Sequence, residues 1–249
     1  MKAIILAAGV GSRLGAVHSG PKCLLEFAGR SLLARHFDTL AGLGIDDIIL
    51  VLGHAAEAIV EAARGAARKA PLVHYNPDYT EGSMLSLWHA RQALLGGDDV
   101  LLMDADVLYD PRIMARLAGS ARANCFLLDR DFVPGDEPVK ICLDGARIVE
   151  FRKRIAAGLG YNSVGESVGF FKFDAAMATR LARIVSRYAA GGGRDQPHEE
   201  ALRDLALEAG DAIGVEDITG LAWIEIDFPA DVTRATQEIL PRIDDCTSR

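Results

Sequence analysis

Short, mostly apolar runs alternate with segments of helical periodicity through the first half of this chain, and that alternation limits the fold more than any other feature. Residues 2–6, 48–52, 72–75 and 100–103 read as strands. Between them, residues 31–43, 55–68 and 83–95 carry apolar side chains at helical spacing, with Ser31 placed to cap the first helix and Gly44 to stop it. Apolar strands of this kind belong to a parallel sheet covered on both faces, and strand–helix alternation is how such a sheet is wound. The predicted class is α/β: a Rossmann-like, mostly parallel mixed sheet flanked by helices.

The texture changes after Asp129. Residues 138–143, 147–152 and 167–173 read as closely spaced strands, with Asp144-Gly145 as one turn, which suggests hairpins or a mixed-sheet lobe, a small inserted β-rich unit, rather than further βαβ units. Helices follow at 174–190 and 198–209, separated by Gly191-Gly192-Gly193. Strands near Ile213 and Trp223 come next, then a closing helix over 229–240 with Pro229 in its first turn, and a polar tail over 244–249. A chain of 249 residues can bury one large core, and no linker divides it, so 1–243 reads as a single domain.

Composition excludes several classes of function. The net charge of −8 argues against a nucleic-acid partner. Cys23, Cys125, Cys142 and Cys246 make no CxxC pair and have no zinc-ligand spacing, which fits a reducing cytoplasm. The apolar start of the chain is too short for a signal-peptide core, and no run approaches the roughly 18 residues of a membrane span. The expectation is a cytoplasmic protein without membrane insertion. A homodimer is compatible with the sequence.

The first strand empties into Leu6-Ala7-Ala8-Gly9-Val10-Gly11-Ser12-Arg13-Leu14-Gly15, with Pro21-Lys22-Cys23-Leu24 shortly after. Small residues let a ligand approach the backbone, and successive N–H groups in such a loop make an anion-binding concavity. Arg13 and Lys22 add fixed positive charge beside it, a combination that suits a triphosphate. A P-loop would need GxxxxGK[ST], which is missing here. A dinucleotide fingerprint would need a third glycine where Leu14 stands, and an acidic residue about 20 positions on, near Ala34.

The stretch from Leu6 to Leu14 followed by Pro21-Lys22, and the continuation through Leu33, resembles the signature of the nucleotidyltransferases that activate sugar phosphates and alcohol phosphates. The resemblance runs through most of the chain and is most specific over about the first 110 residues. It implies that Leu6, Ala7, Ala8, Gly9, Gly11 and Ser12 bind the NTP, and that Lys22 and Arg13 stabilise charge at the α-phosphate. The domain then divides into an NTP-binding part (1–128), acceptor-lobe strands (129–173) and closing helices with a metal-site strand (174–243).

Two acidic sites lie far apart in sequence. Asp104-Ala105-Asp106 ends a buried strand, the usual ligand face of an open α/β sheet, and carboxylates there suit Mg²⁺. The resemblance singles out Asp106 as metal ligand and leaves Asp104 for contact with the nucleotide. In Glu225-Ile226-Asp227 the acids stand at i and i+2 of an extended strand and share a side. This resembles the strand completing the metal site of phosphocholine-type cytidylyltransferases, which makes Asp227 the second ligand and Glu225 a further one. Asp231 reads as a helix-start residue.

Asn76-Pro77 through Gly82-Ser83 joins a strand to a helix, where Ser83 is also a candidate helix cap. The family places nucleobase contacts in this segment. Its Asn-Pro opening and Ser86-Leu87 pair look more like the phosphocholine, aminoethylphosphonate and inositol-phosphate cytidylyltransferases, which favours CTP over another NTP and gives Asn76, Gly82 and Ser83 to the nucleotide. Gly165-Glu166-Ser167 resembles the acceptor strand, with Glu166 facing the substrate and Lys140, Lys153 and Tyr161 as further candidates.

For a cationic acceptor, Trp88, Tyr79, Tyr161 and Tyr188 supply aromatic faces, while Glu166, Asp129, Asp131 and Glu199 supply charge. The expected acceptor is phosphocholine, aminoethylphosphonate or phosphoethanolamine, with inositol 1-phosphate or a sugar 1-phosphate as the alternative. An NAD-dependent oxidoreductase and a nucleotide-binding protein without turnover are the readings from other classes. Among enzymes, a molybdenum-cofactor guanylyltransferase shares the early motifs, and the Glu225-Ile226-Asp227 strand counts against it.

Overall fold

The computed structural model describes residues 1–17 and 20–247. The chain opens with strand β1 (Lys2–Ala7), 3-10 turns at Ser12–Val17 and Lys22–Leu24, a short hairpin of β2 (Glu26–Phe27) and β3 (Arg30–Ser31), and helix α1 (Leu32–Gly42). Then come β4 (Ile48–Leu52), α2 (Ala56–Ala66), β5 (Leu72–Tyr75), α3 (Ser83–His89), α4 (Arg91–Leu94), β6 (Val100–Asp104), β7 (Val107–Tyr109) and α5 (Pro111–Gly119). The second half holds β8 (Cys125–Asp129), β9 (Lys140–Asp144), β10 (Arg147–Arg152), β11 (Ser163–Phe173), α6 (Ala175–Ala190) and α7 (Glu199–Ala209). It ends with β12 (Gly214–Asp217), β13 (Trp223–Glu225), α8 (Pro229–Arg234), a π-helical turn (Ala235–Ile239) and α9 (Leu240–Thr247).

Seven strands run in the order β10-β9-β11-β6-β1-β4-β5, with β8 beside β11 and β12 beside β8. Pairs β1–β4, β1–β6, β4–β5 and β8–β12 are parallel. Strand β11 is antiparallel to β6, β8 and β9, so this is the mixed sheet expected from the sequence. The strands assigned to an inserted lobe, β9 to β11, form the antiparallel end of this same sheet. Among the described residues no helix is long and apolar enough to cross a membrane.

Apolar clusters cover both faces, as the uninterrupted strands require: Ile4, Val51 and Leu102 pack toward α3, α4, α6 and α7, while Ile5, Leu50 and Leu101 pack toward α1, α2 and α5. A third cluster joins Leu14, Phe27 and Leu32 to Leu108, Ile224, Ile226 and Ile239. It fastens the first loop and the closing helices to the two-stranded β7–β13 ribbon, and so fixes the site.

Ser31 caps α1, its Oγ accepting from the Ala34 N–H. The helix expected over 83–95 is two helices meeting at Ala90. The closing helical region runs past Leu240 to Thr247, and residues 248–249 of the predicted tail lie outside the described residues.

Candidate active site

The glycine loop lies at the C-terminal end of β1, where parallel strands leave a crevice. Leu6 through Arg13 line a cleft with Pro21, Lys22, Cys23, Asp104, Asp106, Glu225 and Asp227. Gly11 has φ +67°, and a Cβ there would press within 2.9 Å of Lys22 Cγ. Glycine at this position therefore lets the loop turn and lets the lysine stem pass beneath it.

Lys22 joins the two acidic sites. Its Nζ donates to Asp106 Oδ2 at 2.8 Å and to Asp227 Oδ1 at 2.5 Å, while Arg13 donates to Asp227 Oδ2 at 3.1 Å. Desolvation works against the Lys22 charge, but Asp106 and Asp227 outweigh it and hold the ammonium above its ordinary pKa. At Asp227 burial favours protonation, and Lys22 with Arg13 reverses this, keeping the carboxyl below its usual range. Burial also pushes the neighbouring Cys23 thiol up to about 12, so it is an inert wall.

The remaining acids are crowded. Glu225 opens to the cleft but is closely ringed by protein; desolvation first, then Asp106, Asp227 and Asp104, raise its carboxyl well above the usual range. Asp104 is raised in the same way by desolvation, then Asp106 and Glu199. Carboxylate oxygens of Asp106, Glu225 and Asp227 lie within 4.8 Å of one another. An all-oxygen set with more negative charge than Lys22 can balance fits a hard divalent cation that also takes phosphate oxygens.

Backbone pairing brings the two segments together. Strand β13 pairs antiparallel with β7, Glu225 opposite Val107, and the Ile226 N–H donates to the Asp106 carbonyl at 2.9 Å. Asp231 accepts from the N–H groups of Asp227 and Phe228, the helix-start role expected of it.

Other sequence candidates are placed differently. Ser83 reaches the cleft, but the N-cap of α3 is Gly82; the Ser83 hydroxyl accepts from the His198 N–H at 2.9 Å. Asn76 is buried behind the wall, donating to Ser86 Oγ at 3.1 Å and accepting from the Asp78 N–H at 3.0 Å. Gly82 lies against the backbone of Arg194 and Asp195, where a Cβ would collide. Asn76 and Gly82 therefore shape the pocket from outside its lining.

Lys153 lines the cleft and pairs with Glu137 at 3.3 Å. Lys140 does not face it: its ammonium donates to the carbonyls of Gly135, Pro138 and Lys153, which uses its charge to hold the loop. Tyr161 is exposed and lines neither this cleft nor its neighbour.

A second pocket adjoins the first and shares Glu225 and Asp227 with it. Its other walls include Glu166, Asp129, Asp131, Phe132, Trp223 and Phe228. Burial, then the Asp129 charge, raises Glu166 to about 7. Trp223 Nε1 donates to Asp129 at 2.8 Å, and Arg13 lies 5.2 Å over the Phe228 ring.

Glu166, Asp129 and Asp131, three of the four acids expected around a cationic group, are here, but Glu199 lines the first cleft instead, and the aromatic faces are not those expected. Trp88 is stacked under Arg91, Tyr79 packs against His54, and Tyr188 donates to Asp204. Phe132, Trp223 and Phe228 replace them, two of them flanking the Glu225-Ile226-Asp227 motif in sequence.

Sequence reasoning also passed over Ser86, Pro197 and His198 as parts of the cleft. His198 stands at the start of α7 as expected, yet its buried Nε2 lies 3.5 Å from Asp104 without a hydrogen bond. No local motif marks it: the 194–198 segment meets the cleft at the start of α7 and is tied to the 78–84 loop by bonds such as Arg194 to Asp78 and Glu81.

Residues 3–158 match the MobA-like NTP transferase domain. Over 97% of its length the chain is 33% identical to the CMP-5'-(3-aminopropyl)phosphonate synthase of Streptomyces rubellomurinus, of which it spans 39%. It spans between 22% and 51% of the first curated relatives it matches. The inositol-1-phosphate CTP transferase from T. maritima superposes with a TM-score of 0.74 at 22% identity, covering 98% of this chain and 96% of that one. The CTP:phosphocholine cytidylyltransferase from Streptococcus pneumoniae gives 0.74 at 20%, covering 95% and 97%. Those two likenesses bear on the fold, while the match over residues 3–158 bears on ancestry: the chain belongs to the MobA-like NTP transferase domain family.

Proposed function

We propose that this protein is a Mg²⁺-dependent cytidylyltransferase that moves CMP from CTP to a small phosphonate or phosphate bearing an ammonium group, releasing pyrophosphate. The observation that carries the reading is the junction of the two pockets. Lys22, Asp106, Glu225 and Asp227 meet where the glycine-loop cleft opens into the aromatic and acidic pocket. An NTP in the first and an acceptor in the second would bring their phosphorus groups together there.

A phosphonate or phosphate oxygen is already anionic at neutral pH, so the attack on the α-phosphorus needs no general base. The difficulty is bringing one anion onto another, which positioning and charge stabilisation address. Glycine-loop N–H groups and Arg13 cradle the triphosphate. Lys22 exchanges a carboxylate oxygen for a phosphate oxygen and stabilises the charge that builds during transfer. Asp106, Asp227 and Glu225 would hold Mg²⁺, which supplies further positive charge against the phosphate oxygens.

In the second pocket Glu166, Asp129 and Asp131 complement an ammonium, and Trp223 and Phe228 cover its alkyl chain. The Streptomyces relative, named for an aminopropylphosphonate product, supports this acceptor class. The same relative is named for a CMP-bearing product, which supports CTP as the donor.

The test is pyrophosphate release with Mg²⁺, crossing CTP, UTP, ATP and GTP against 2-aminoethylphosphonate, phosphocholine, phosphoethanolamine, inositol 1-phosphate and glucose 1-phosphate. Turnover confined to CTP and an ammonium-bearing acceptor is expected. Turnover with inositol or glucose phosphate alone would keep the chemistry and overturn the acceptor. Silence from folded protein throughout would overturn both.

A further inference from the structure

His36 sits fully buried on α1 among Leu33, Phe37 and Leu40, where an aliphatic side chain would avoid the cost of hiding an imidazole. That cost is met only if both ring nitrogens are bonded. Nε2 lies 3.2 Å from the Ala105 carbonyl oxygen, and Nδ1 lies 3.3 Å from the Tyr109 hydroxyl. A carbonyl can only accept, so the proton is on Nε2, and Nδ1 accepts from the tyrosine O–H.

Phe170 packs edge-on against both rings. Burial lowers the imidazole to about 4, so it stays neutral and keeps its single donor aimed at Ala105.

Ala105 is the residue between Asp104 and Asp106, and its carbonyl direction sets how the neighbouring side chains leave the turn. Tyr109 stands opposite Trp223 in the β7–β13 ribbon, two residues from Glu225, and the Ile226 N–H closes onto the Asp106 carbonyl. One buried group therefore braces both acidic segments from behind.

We infer that His36, acting through the Ala105 carbonyl and the Tyr109 hydroxyl, is a positioning residue that fixes the Asp106 and Glu225–Asp227 carboxylates for a divalent cation. The inference rests on the metal role proposed above for those three acids.

The experiment titrates Mn²⁺ into wild-type protein and His36→Leu, His36→Gln and Tyr109→Phe variants, following free ion by electron paramagnetic resonance, alongside kcat and KM for CTP. His36→Leu should weaken Mn²⁺ about tenfold and lower kcat, with KM for CTP, measured at Mn²⁺ that saturates each variant, changing by less than roughly twofold, the pattern for a residue that orients ligands without touching substrate. His36→Gln, whose amide N–H can reach the same carbonyl, should recover most of the loss; a simple packing defect would not be rescued by a polar side chain.

A folded His36→Leu variant with unchanged Mn²⁺ affinity overturns the inference. If that variant does not fold, Tyr109→Phe decides: about threefold weaker Mn²⁺ supports it and no change overturns it. Because Mn²⁺ binding is read without turnover, a wild-type protein that binds Mn²⁺ but transfers no CMP would defeat the proposed reaction alone. A wild-type protein that binds no Mn²⁺ defeats this inference.

Discussion

Lys22 carries the strongest expectation for a single residue. Its ammonium touches Asp106 and Asp227 and its stem lies under the glycine loop, so Lys22→Ala removes a side chain that links the phosphate loop to both acidic sites. Loss of a preorganised group aimed at developing charge costs about 10²–10³ in kcat, and that fall is expected here with an unchanged circular-dichroism spectrum. Glu166 gives a second expectation. Its carboxyl is raised to about 7, so it is mostly protonated at pH 6 and mostly ionised at pH 8. An ammonium is attracted only by the ionised form, so acceptor kcat/KM should rise with pH and level off above about 7, the value at which this group loses its proton. Glu166→Gln, compared with wild type on the same acceptor so that the acceptor's own ionisation cancels, should flatten that part of the profile; an identical profile would remove Glu166 from the pocket's chemistry. Lys22, Arg13, Asp106, Glu225 and Asp227 sit in short motifs whose residue types point to phosphate and metal, and the structure gathers them at one candidate site, while Glu166 was singled out by resemblance to an acceptor strand and lines the adjoining pocket. Lys140 misled because a lysine's reach says nothing of its partners, and here three backbone carbonyls claim it. Trp223 and Phe228 stand beside the acids of the Glu225-Ile226-Asp227 strand, and nothing in their own spacing marks them as pocket walls.

Elements set where those residues meet, and the turning of β11 is the clearest case. Its register against β8 shifts between Ser167 and Phe171, and Gly169 lies inside the shift with φ +80°. A Cβ at Gly169 would run into the Asp104 carboxylate, so the bulge exists at a place only glycine can fill without moving that acid. Gly169→Ala should therefore lower stability by more than the usual gain of about 0.4–1 kcal/mol from stiffening a glycine, because the native φ is wrong for alanine. It should also raise KM for CTP by displacing Asp104, and thermal unfolding together with steady-state kinetics would show both; a stable variant with wild-type KM would mean that Asp104 has room to move. The strands and helices of the sheet were readable because apolar runs and helical spacing survive tertiary context. The Ala90 break and the union of β9 to β11 with the main sheet were not, since both depend on which neighbours pack, and local periodicity carries no record of that.

At the scale of the whole molecule, the site is a charge problem inside an acidic protein. The chain bears a net charge of −8, and its cleft gathers Asp104, Asp106, Glu225 and Asp227 around Lys22 and Arg13, yet the proposed ligand is itself a polyanion. Folding buries those carboxylates and crowds them together, and desolvation first, then the neighbouring acids, raise the Asp104 and Glu225 carboxyls. A divalent cation relieves that repulsion and at the same time creates a place for phosphate, so metal and nucleotide should bind with positive coupling. A ligand that binds only the folded state stabilises it by about RT ln(1 + [L]/Kd), roughly 2.7 kcal/mol at one hundred times Kd, which makes the melting temperature a direct reading of this coupling. In a four-way comparison, Mg²⁺ alone should raise Tm modestly and CTP with EDTA should raise it little. Both together should raise it by more than the sum of the two separate shifts. In Asp227→Asn, which removes one negative ligand but keeps the side chain's size, the Mg²⁺ shift should shrink and the excess from combining the ligands should largely vanish. If CTP in EDTA shifts Tm as far as CTP with Mg²⁺, the loop N–H groups, Arg13 and Lys22 suffice to hold the triphosphate, and the acids must serve the acceptor rather than a metal.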